Sequence, residues 1–240
     1  MRIYENCYEL ISELFREVFE MGHICTPKSM QNKNIEGNDD YITKEIINYT
    51  YCLQSREQGK FLFLTDPRSR DWVKAEFQER LSNTLEGDAW RIRPELWEPL
   101  QNEKGLQDYT YGNRMNSDNS LQKVVRELKR NPDSRQCILS IWDRTVDIDG
   151  LGGKRRVPCS IYYQFILRGN QLHIIYNQRS ADVITHLGND VWLAWQLMKT
   201  VAKYLEVPEG FLYHNIASLH SYKKDWPQLK QCIDDIKNKS

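Results

Sequence analysis

The sequence lacks an excess of charge of either sign, because its 240 residues include 33 lysines and arginines and 33 aspartates and glutamates. Proteins that bind nucleic acid over a broad surface usually carry a basic excess, so the composition does not indicate a nucleic-acid partner. Long apolar runs are also missing, and none approaches the roughly 20 residues of a membrane span. The N-terminus is charged from Arg2 onward and lacks the apolar core of a signal peptide. We therefore expect a cytoplasmic protein without a membrane partner.

Paired cysteines are missing as well. The six cysteines are scattered and form no CxxC spacing, which argues against both a disulfide framework and a zinc site. We expect free thiols and no bound metal. Since most free cysteines are small buried apolar residues, a catalytic role for any of them needs a separate argument.

The two halves of the sequence differ in their apolar patterns. In the first half, apolar residues recur at helical spacing over residues 5–20, 41–54, 71–81 and 121–130, and residues 28–40 are typical of a polar loop. In the second half, β-branched and aromatic runs predict strands at 137–142, 161–167, 172–176 and 211–222, and helical patterns return at 191–204 and 226–237. Gly169 and Asn170 lie between two of these strands and predict a hairpin turn.

Helices that precede mixed strands, with no linker or repeat between them, predict an α+β fold in a single domain over residues 1–240. The strands carry apolar residues on both alternations, so both faces of the large mixed sheet need cover. Helices can cover one face, and the partner subunit of a homodimer can cover the other.

Two short segments combine residues that suit nucleophilic and anion-binding chemistry. Pro158 cannot donate to a sheet ladder and marks a strand start, which places the Cys159 thiol where a ligand can reach it. Residues 178–182, Gln-Arg-Ser-Ala-Asp, follow another strand and offer a guanidinium, a hydroxyl and a carboxylate. Arg179 and Ser180 can hold a phosphate, and an arginine near a cysteine favours the thiolate.

Five motifs, in order along the chain, together resemble the thymidylate synthase family. They are Trp97 with Tyr111-Gly112, the Asn-Pro-Asp-Ser-Arg segment at 131–135, Pro158-Cys159 with Gln164-Phe165, the segment at 178–182, and Leu-His-Ser-Tyr at 219–222. The resemblance extends from about residue 72 to residue 226 and is poorest in the N-terminal quarter. It implies the fold of that family and an obligate dimer with shared sites.

The resemblance also implies a chemistry. The Cys159 thiolate attacks C6 of a pyrimidine nucleoside monophosphate, which makes C5 nucleophilic, and C5 then captures the one-carbon unit of 5,10-methylenetetrahydrofolate. Glu76 stands where the family has a glutamate that transfers protons. The alternative interpretation is that Glu76, beside Glu79, is a solvated residue on the surface of a helix. Tyr111 and Asp182 correspond to cofactor-binding positions. Trp97 also corresponds to a cofactor-binding position; the alternative interpretation is that it packs in the hydrophobic core.

For the phosphate, the resemblance implies Arg179 and Ser180 from one subunit and Arg135 from the other. The family usually has a second arginine after that one, and this chain has Gln136 instead, which removes one contact. Lys28 lies near the N-terminal phosphate position and can compensate; its alternative is an exposed loop lysine.

The remaining substrate contacts are carried over in the same way. The resemblance implies sugar contacts from two residues of the last predicted strand, for which a structural strand pair is the alternative. The two strand residues are His220 and Tyr222. The resemblance also assigns Asp182, Gln178 and Asn189 to substrate binding.

Asp190 distinguishes between the possible bases. Eight residues after Asp182, thymidylate synthases have an asparagine that reads the uracil edge, and this chain has Asp190. A protonated carboxyl group can accept from N4 and donate to N3 of cytosine, whereas a carboxylate would oppose O4 of uracil. The alternative is that Asp190 caps the helix that follows. The residues from Asn189 to Trp195 and at 131–135 resemble phage-type deoxycytidylate hydroxymethylases.

The expected reaction is therefore hydroxymethylation of C5 of dCMP or CMP. Water must then reach the one-carbon unit, and two departures from the family are compatible with this: His186 replaces a common glycine, and Ser160 replaces a common histidine. An ordinary loop histidine is the alternative for His186. At the level of function, the alternatives are a thymidylate synthase or hydroxymethylase acting on dUMP, and a catalytically idle homologue that regulates by binding nucleotide or RNA.

Overall fold

A computed structural model describes residues 1–54 and 68–238 of the chain. The predicted domain of 1–240 also includes residues 55–67 and 239–240, which lie outside the described residues. Seven α-helices are described, α1 Cys7–Met21, α2 Ser69–Arg80, α3 Pro94–Trp97, α4 Tyr111–Asn116, α5 Ser120–Arg130, α6 Leu187–Leu205 and α7 Trp226–Lys237. Ten described strands are β1 Arg2–Tyr4, β2 His23–Cys25, β3 Ser29–Met30, β4 Lys33–Asn34, β5 Thr43–Leu53, β6 Ile138–Ser140, β7 Ser160–Arg168, β8 Gln171–Gln178, β9 Ala181–Asp182 and β10 Glu209–Tyr222.

Eight of these strands form one mixed sheet, in the order β1-β5-β10-β8-β7-β6, with β2 beside β5 and β9 beside β10. The pairs β1–β5 and β8–β10 are parallel, whereas β5–β10 and β7–β8 are antiparallel. Helix α6 connects β8 to the parallel strand β10, because parallel neighbours need a crossover connection. The predicted α+β fold with a large mixed sheet is confirmed.

The helices pack on one face of the sheet. In β8 every second residue is buried on the face that α6 covers, in the run Leu172, Ile174, Tyr176 and Gln178, and α1 covers β5 and β10. Residues of the opposite alternation, such as His173 and Ile175, remain partly exposed. The described helices therefore cover one face, and the other face retains apolar side chains in contact with solvent.

The helix predicted at 41–54 is wrong, because these residues form the long strand β5. Its apolar residues fit either period, but Ile46, Tyr49 and Tyr51 are β-branched or aromatic side chains that favour a pleated surface. The loop predicted at 28–40 contains a small hairpin of β3 and β4. Gly169 and Asn170 both have a φ of +57°, the left-handed conformation expected of a tight hairpin turn.

Among the described residues, no helix has the length and apolar character required to cross a membrane.

Candidate active site

A cavity of about 590 Å³ lies beside the sheet, between α2 and the first turn of α6. Ten of the predicted site residues line it: Glu76, Trp97, Tyr111, Cys159, Arg179, Ser180, Asp182, Asp190, His220 and Tyr222. A volume of this size is typical of a site for small organic ligands. The fold thus brings together most of the residues that were selected from the sequence.

Cys159 lies at the wall of this cavity, immediately before β7. Because β7 pairs with β8, the end of one strand lies beside the start of the other, and the Arg179 backbone N–H donates to the Cys159 carbonyl at 2.9 Å. The Arg179 guanidinium lies 3.7 Å from the Cys159 sulfur, and the amide nitrogen of Gln31 lies 3.5 Å from it. Two donors therefore face the thiol from different parts of the chain.

The charge state of Cys159 depends on opposing effects. The pKa of the thiol is raised overall, because burial, the largest effect, and the neighbouring Asp190 carboxylate outweigh the groups that lower it. The Arg179 and Arg156 guanidinium groups lower that pKa, as does the hydrogen bond from Gln31. An anionic ligand that pairs with these two arginines would reduce their effect on the pKa of the thiol. The stability of the Cys159 thiolate therefore depends on what else the arginines bind.

Tyr111 holds the start of β7 in place. Its hydroxyl oxygen accepts the backbone N–H groups of Cys159 and Ser160, both at 3.2 Å. The guanidinium of Arg80 lies 4.5 Å from the centroid of the Tyr111 ring. Tyr111 is therefore a support for Cys159 as well as part of the cavity wall.

Glu76 is linked to the same group of residues. Its carboxylate accepts from Arg80 Nε at 2.9 Å, and Arg80 also donates to the Tyr163 hydroxyl at 3.2 Å. The Glu76 side chain is 19% exposed and lines the cavity, so it is not a solvated helix residue. Arg80 was not among the predicted site residues, although its position four residues after Glu76 on a predicted helix was a signal.

Asp190 lies in the first turn of α6. The helix begins at Leu187 with His186 at the N-cap, so the interpretation of Asp190 as the cap residue is wrong. Gln178 Nε2 donates to Asp190 Oδ2 at 2.7 Å. Burial raises the pKa of Asp190 to about 6, and the Arg80 charge and the Gln178 hydrogen bond oppose that rise. The carboxyl group can therefore change its protonation state near neutral pH.

Four predicted substrate residues do not line the cavity in this chain. Gln178 is 3% exposed and contacts Asp190 from behind, and the Asn189 side chain donates to the Thr185 carbonyl at 3.2 Å. Lys28 is exposed and pairs with Glu36 at 2.8 Å.

Arg135 is the fourth of these residues. It is exposed after α5, and its carbonyl accepts from Gln164 Nε2 at 2.8 Å. Gln164 belongs to the sheet alternation that the described helices leave uncovered, so Arg135 lies at the edge of the open face.

His220 and Tyr222 form a polar end of the cavity. The parallel pairing of β9 with β10 places His220 opposite Asp182. His220 Nδ1 lies 3.5 Å from the Ser218 hydroxyl, which donates to the Glu45 carboxylate. These hydroxyl, imidazole and carboxylate groups can bind the hydroxyl groups of a sugar. Glu45 was missed because it belongs to β5, where the sequence predicted a helix.

The opposite wall is aromatic. The Trp72 and Trp97 rings stack with centroids 5.4 Å apart, and the His186 ring lies 5.7 Å from Trp97. The Arg156 guanidinium lies 4.9 Å from the Trp97 centroid and 4.5 Å from that of Tyr109. Burial and nearby arginines lower the pKa of His186 to about 4, so its imidazole is neutral at neutral pH. Such a wall suits a flat heteroaromatic ligand.

No group of histidine, cysteine, aspartate and glutamate side chains that could hold a metal ion occurs in residues 1–54 and 68–238.

Comparison with known proteins agrees with this geometry. The sequence profile of the family described as thymidylate synthase matches residues 27–239. The chain belongs to the thymidylate synthase family. The family is one of one-carbon transferases that use methylenetetrahydrofolate and pyrimidine nucleotides, and its members are typically dimeric.

Individual relatives of the family are distant. The thymidylate synthases of Mycoplasma genitalium and Mycoplasma pneumoniae are 28% and 30% identical to the chain over 115 residues, which is 48% of this chain and 39% of each relative. A relative from Methanosarcina mazei is 27% identical over 133 residues, 54% of this chain and 59% of that protein. The chain therefore covers less than two thirds of the length of each of these relatives.

Proposed function

We propose that this chain hydroxymethylates C5 of a cytidine nucleotide, dCMP or CMP, through a covalent bond between Cys159 and C6. The observation that carries the proposal is the Asp190 carboxyl group, which lines the cavity and whose pKa is raised to about 6 by burial. A carboxylic acid offers one donor and one acceptor, the pattern that N3 and N4 of cytosine require. A uracil at the same position would need the donor and the acceptor exchanged, with the donor facing O4 and the acceptor facing N3–H.

The nucleophilic role is assigned to Cys159. Bond formation between its sulfur and C6 pushes electron density to C5, which can then form a carbon–carbon bond. Arg179 supports this role, because its guanidinium is 3.7 Å from the sulfur and lowers the pKa of the thiol. Elimination of the sulfur, after the C5 proton has been removed, restores the aromatic ring and releases the product.

Glu76, which lines the cavity, is assigned the transfer of protons. Its ion pair with the buried Arg80 fixes the position of the carboxylate, which is the requirement for a general base or acid. Ser180 and Arg179 are assigned to the phosphate, and the group formed by Ser218, His220 and Tyr222 to the sugar.

The aromatic wall is assigned to the folate. Methylenetetrahydrofolate, the donor used in this family, supplies the one-carbon unit when bound. Trp97 and His186, with ring centroids 5.7 Å apart, line the cavity, and Tyr111 and Asp182 also line it. These residues fit a planar pterin ring, and Arg156 adds a cation that can contact a carbonyl oxygen or a carboxylate.

Water is the proposed acceptor of the one-carbon unit. His186 is neutral at neutral pH because its pKa is lowered to about 4, so one ring nitrogen can accept a hydrogen bond from water. A hydroxyl group is then added where a thymidylate synthase would add hydride, and the proton of the water passes to Glu76, which is assigned proton transfer. We assign to His186 the positioning of this water.

We also propose that the whole chain is one domain that functions as a homodimer. The sheet face that the described helices leave uncovered includes Tyr162, Ile166, Ile175 and Tyr213, which are only partly buried in a single chain. A second copy on this face would bury them and would bring the exposed Arg135 near the site of its partner. This arrangement adds Arg135 of one copy to the phosphate-binding residues Arg179 and Ser180 of the other.

Mass spectrometry of products tests the function directly. The protein is incubated with methylenetetrahydrofolate and with dCMP, CMP or dUMP in separate reactions, and Cys159→Ala is the inactive control. The expected product is a 5-hydroxymethylcytidine monophosphate, with little product from dUMP. Formation of thymidylate from dUMP as the main product, or unchanged activity of Cys159→Ala, would overturn the proposal.

A further inference from the structure

Four side chains form a hydrogen-bonded relay that runs from the cavity into the core. Gln178 Nε2 lies 2.7 Å from Asp190 Oδ2, Gln178 Oε1 lies 2.8 Å from His214 Nε2, and His214 Nδ1 lies 2.8 Å from the Tyr51 hydroxyl. Tyr51 and His214 are 0% exposed, and Gln178 is 3% exposed. Neither Tyr51 nor His214 lines the cavity.

The direction of these hydrogen bonds follows from the buried end. Within the described residues the hydrogen bond of the Tyr51 hydroxyl is to His214 Nδ1, and a buried O–H without an acceptor is costly, so Tyr51 donates to Nδ1. Burial lowers the pKa of His214 to about 3, so the ring is neutral and its single proton is on Nε2. His214 therefore donates to Gln178 Oε1, which leaves the Gln178 amide nitrogen to donate to Asp190 Oδ2.

We propose that Tyr51 and His214 determine base specificity by fixing which oxygen of the Asp190 carboxyl group carries its proton. This inference rests on the proposed function, in which Asp190 contacts the pyrimidine edge. Because Oδ2 accepts from Gln178, the proton resides on Oδ1. In this proposal Oδ2 faces the exocyclic group and Oδ1 faces N3, so the carboxyl group accepts from N4–H and donates to N3 of cytosine.

Uracil requires the opposite arrangement. Its O4 needs a donor and its N3–H needs an acceptor, so Oδ2 would have to carry the proton and would then oppose the N–H of Gln178. The relay excludes this state as long as Tyr51 donates to His214. Tyr51 and His214 are thus positioning residues, because they act on the base only through Gln178 and Asp190.

The substitution Tyr51→Phe tests the relay, because it removes one hydroxyl group and keeps the ring. Without that O–H, the two neutral forms of the His214 ring become similar in energy and Gln178 can present either end to Asp190. Tyr49→Phe is the matched control, since Tyr49 is a buried tyrosine of β5 whose hydroxyl contacts Tyr4 at 2.8 Å instead. Tritium release from C5-labelled dCMP and dUMP gives kcat/KM for each nucleotide.

We expect Tyr51→Phe to lower the ratio of kcat/KM for dCMP to that for dUMP by about tenfold, the effect of one hydrogen bond. Tyr49→Phe should keep the wild-type ratio. His214→Phe preserves the ring stack on Tyr176, whose centroid is 4.4 Å away, and should lower the ratio at least as much. This second variant also tests the relay if Tyr51→Phe does not fold.

Different outcomes separate the relay from the proposed function. A wild-type protein that prefers dUMP overturns the proposed function before any variant is compared. A wild-type preference for dCMP that is unchanged in folded Tyr51→Phe and His214→Phe overturns the relay alone. Equal losses of kcat/KM with both nucleotides indicate a structural role for Tyr51 and also overturn the relay.

Discussion

The Tyr111 hydroxyl oxygen lies 3.2 Å from the backbone nitrogens of both Cys159 and Ser160. One side chain from α4 therefore binds the two peptide groups that precede and begin β7. Since Arg80 lies over the same ring, the position of the thiol depends on residues from two helices that precede it by 48 and 79 positions in the chain.

Tyr111→Phe should weaken both the structure and the reaction. Two buried N–H groups lose their acceptor, which should lower the free energy of unfolding by about 1–3 kcal/mol and reduce kcat. Urea denaturation and C5 tritium release measure the two effects. Tyr109→Phe is the control, because the Cys159 and Ser160 amides bond to Tyr111 instead. Equal stability of the two variants would show that these contacts contribute little.

Arg179→Met should make the Cys159 thiol less reactive at neutral pH. The guanidinium lowers the pKa of this thiol, so its removal should move the pH of half-maximal alkylation upward. Iodoacetamide labelling followed by peptide mass spectrometry reports Cys159 separately from the other cysteines. Arg16→Met, which removes an exposed arginine of α1, should leave the profile unchanged. An unshifted profile for Arg179→Met would contradict the assigned electrostatic role.

Asp190→Asn should stabilise the protein above about pH 6. The pKa of Asp190 is about 6 in the folded state and about 4 in an unfolded chain, so its ionisation costs folding energy as the pH rises through that interval. The cost is on the order of 3 kcal/mol above the folded pKa and disappears below the unfolded pKa. Urea denaturation at several pH values measures it for both proteins. A constant difference between them from pH 4 to pH 8 would contradict the raised pKa.

His186→Gly should change the product. Removal of the neutral imidazole takes away the proposed hydrogen-bond acceptor that positions the water, so formation of the hydroxymethyl product should fall about tenfold, the effect of one hydrogen bond. Quantitative mass spectrometry of the hydroxymethyl and methyl products measures this partition. Thermal unfolding of the variant is the control for a structural effect. An unchanged rate of hydroxymethyl formation in a folded variant would remove His186 from the reaction.

Much of the fold was predictable because its second half follows simple local patterns. Strands β7, β8 and β10 and helices α6 and α7 have clear apolar periods, and the turn at Gly169 and Asn170 joins two of the strands directly. Strand β5 was mistaken for a helix because its partners are β1 and β10, far away in the sequence. Long-range pairing, rather than local periodicity, decided its conformation.

The residues of the candidate site also divide into those predictable from local motifs and those that depend on long-range contacts. Cys159, Arg179 and Asp190 were found because they belong to short motifs with a fixed spacing. Gln31 and His214 were not, because their hydrogen bonds to the other site residues span more than 30 residues of sequence. Nothing in the local sequence distinguishes His214 from any other strand histidine until β8 and β10 are paired.

The hairpin of β7 and β8 also has a practical consequence. Cys159 precedes one strand and Arg179 follows the other, so the turn at Gly169 and Asn170 lies at the far end of the hairpin, about 30 Å away at ~3.4 Å for each residue. The hairpin would connect a fluorophore or a short inserted tag at this turn to Cys159, and the label would not obstruct the thiol. Such a label offers a site from which ligand-induced movements of the active centre can be observed at a distance.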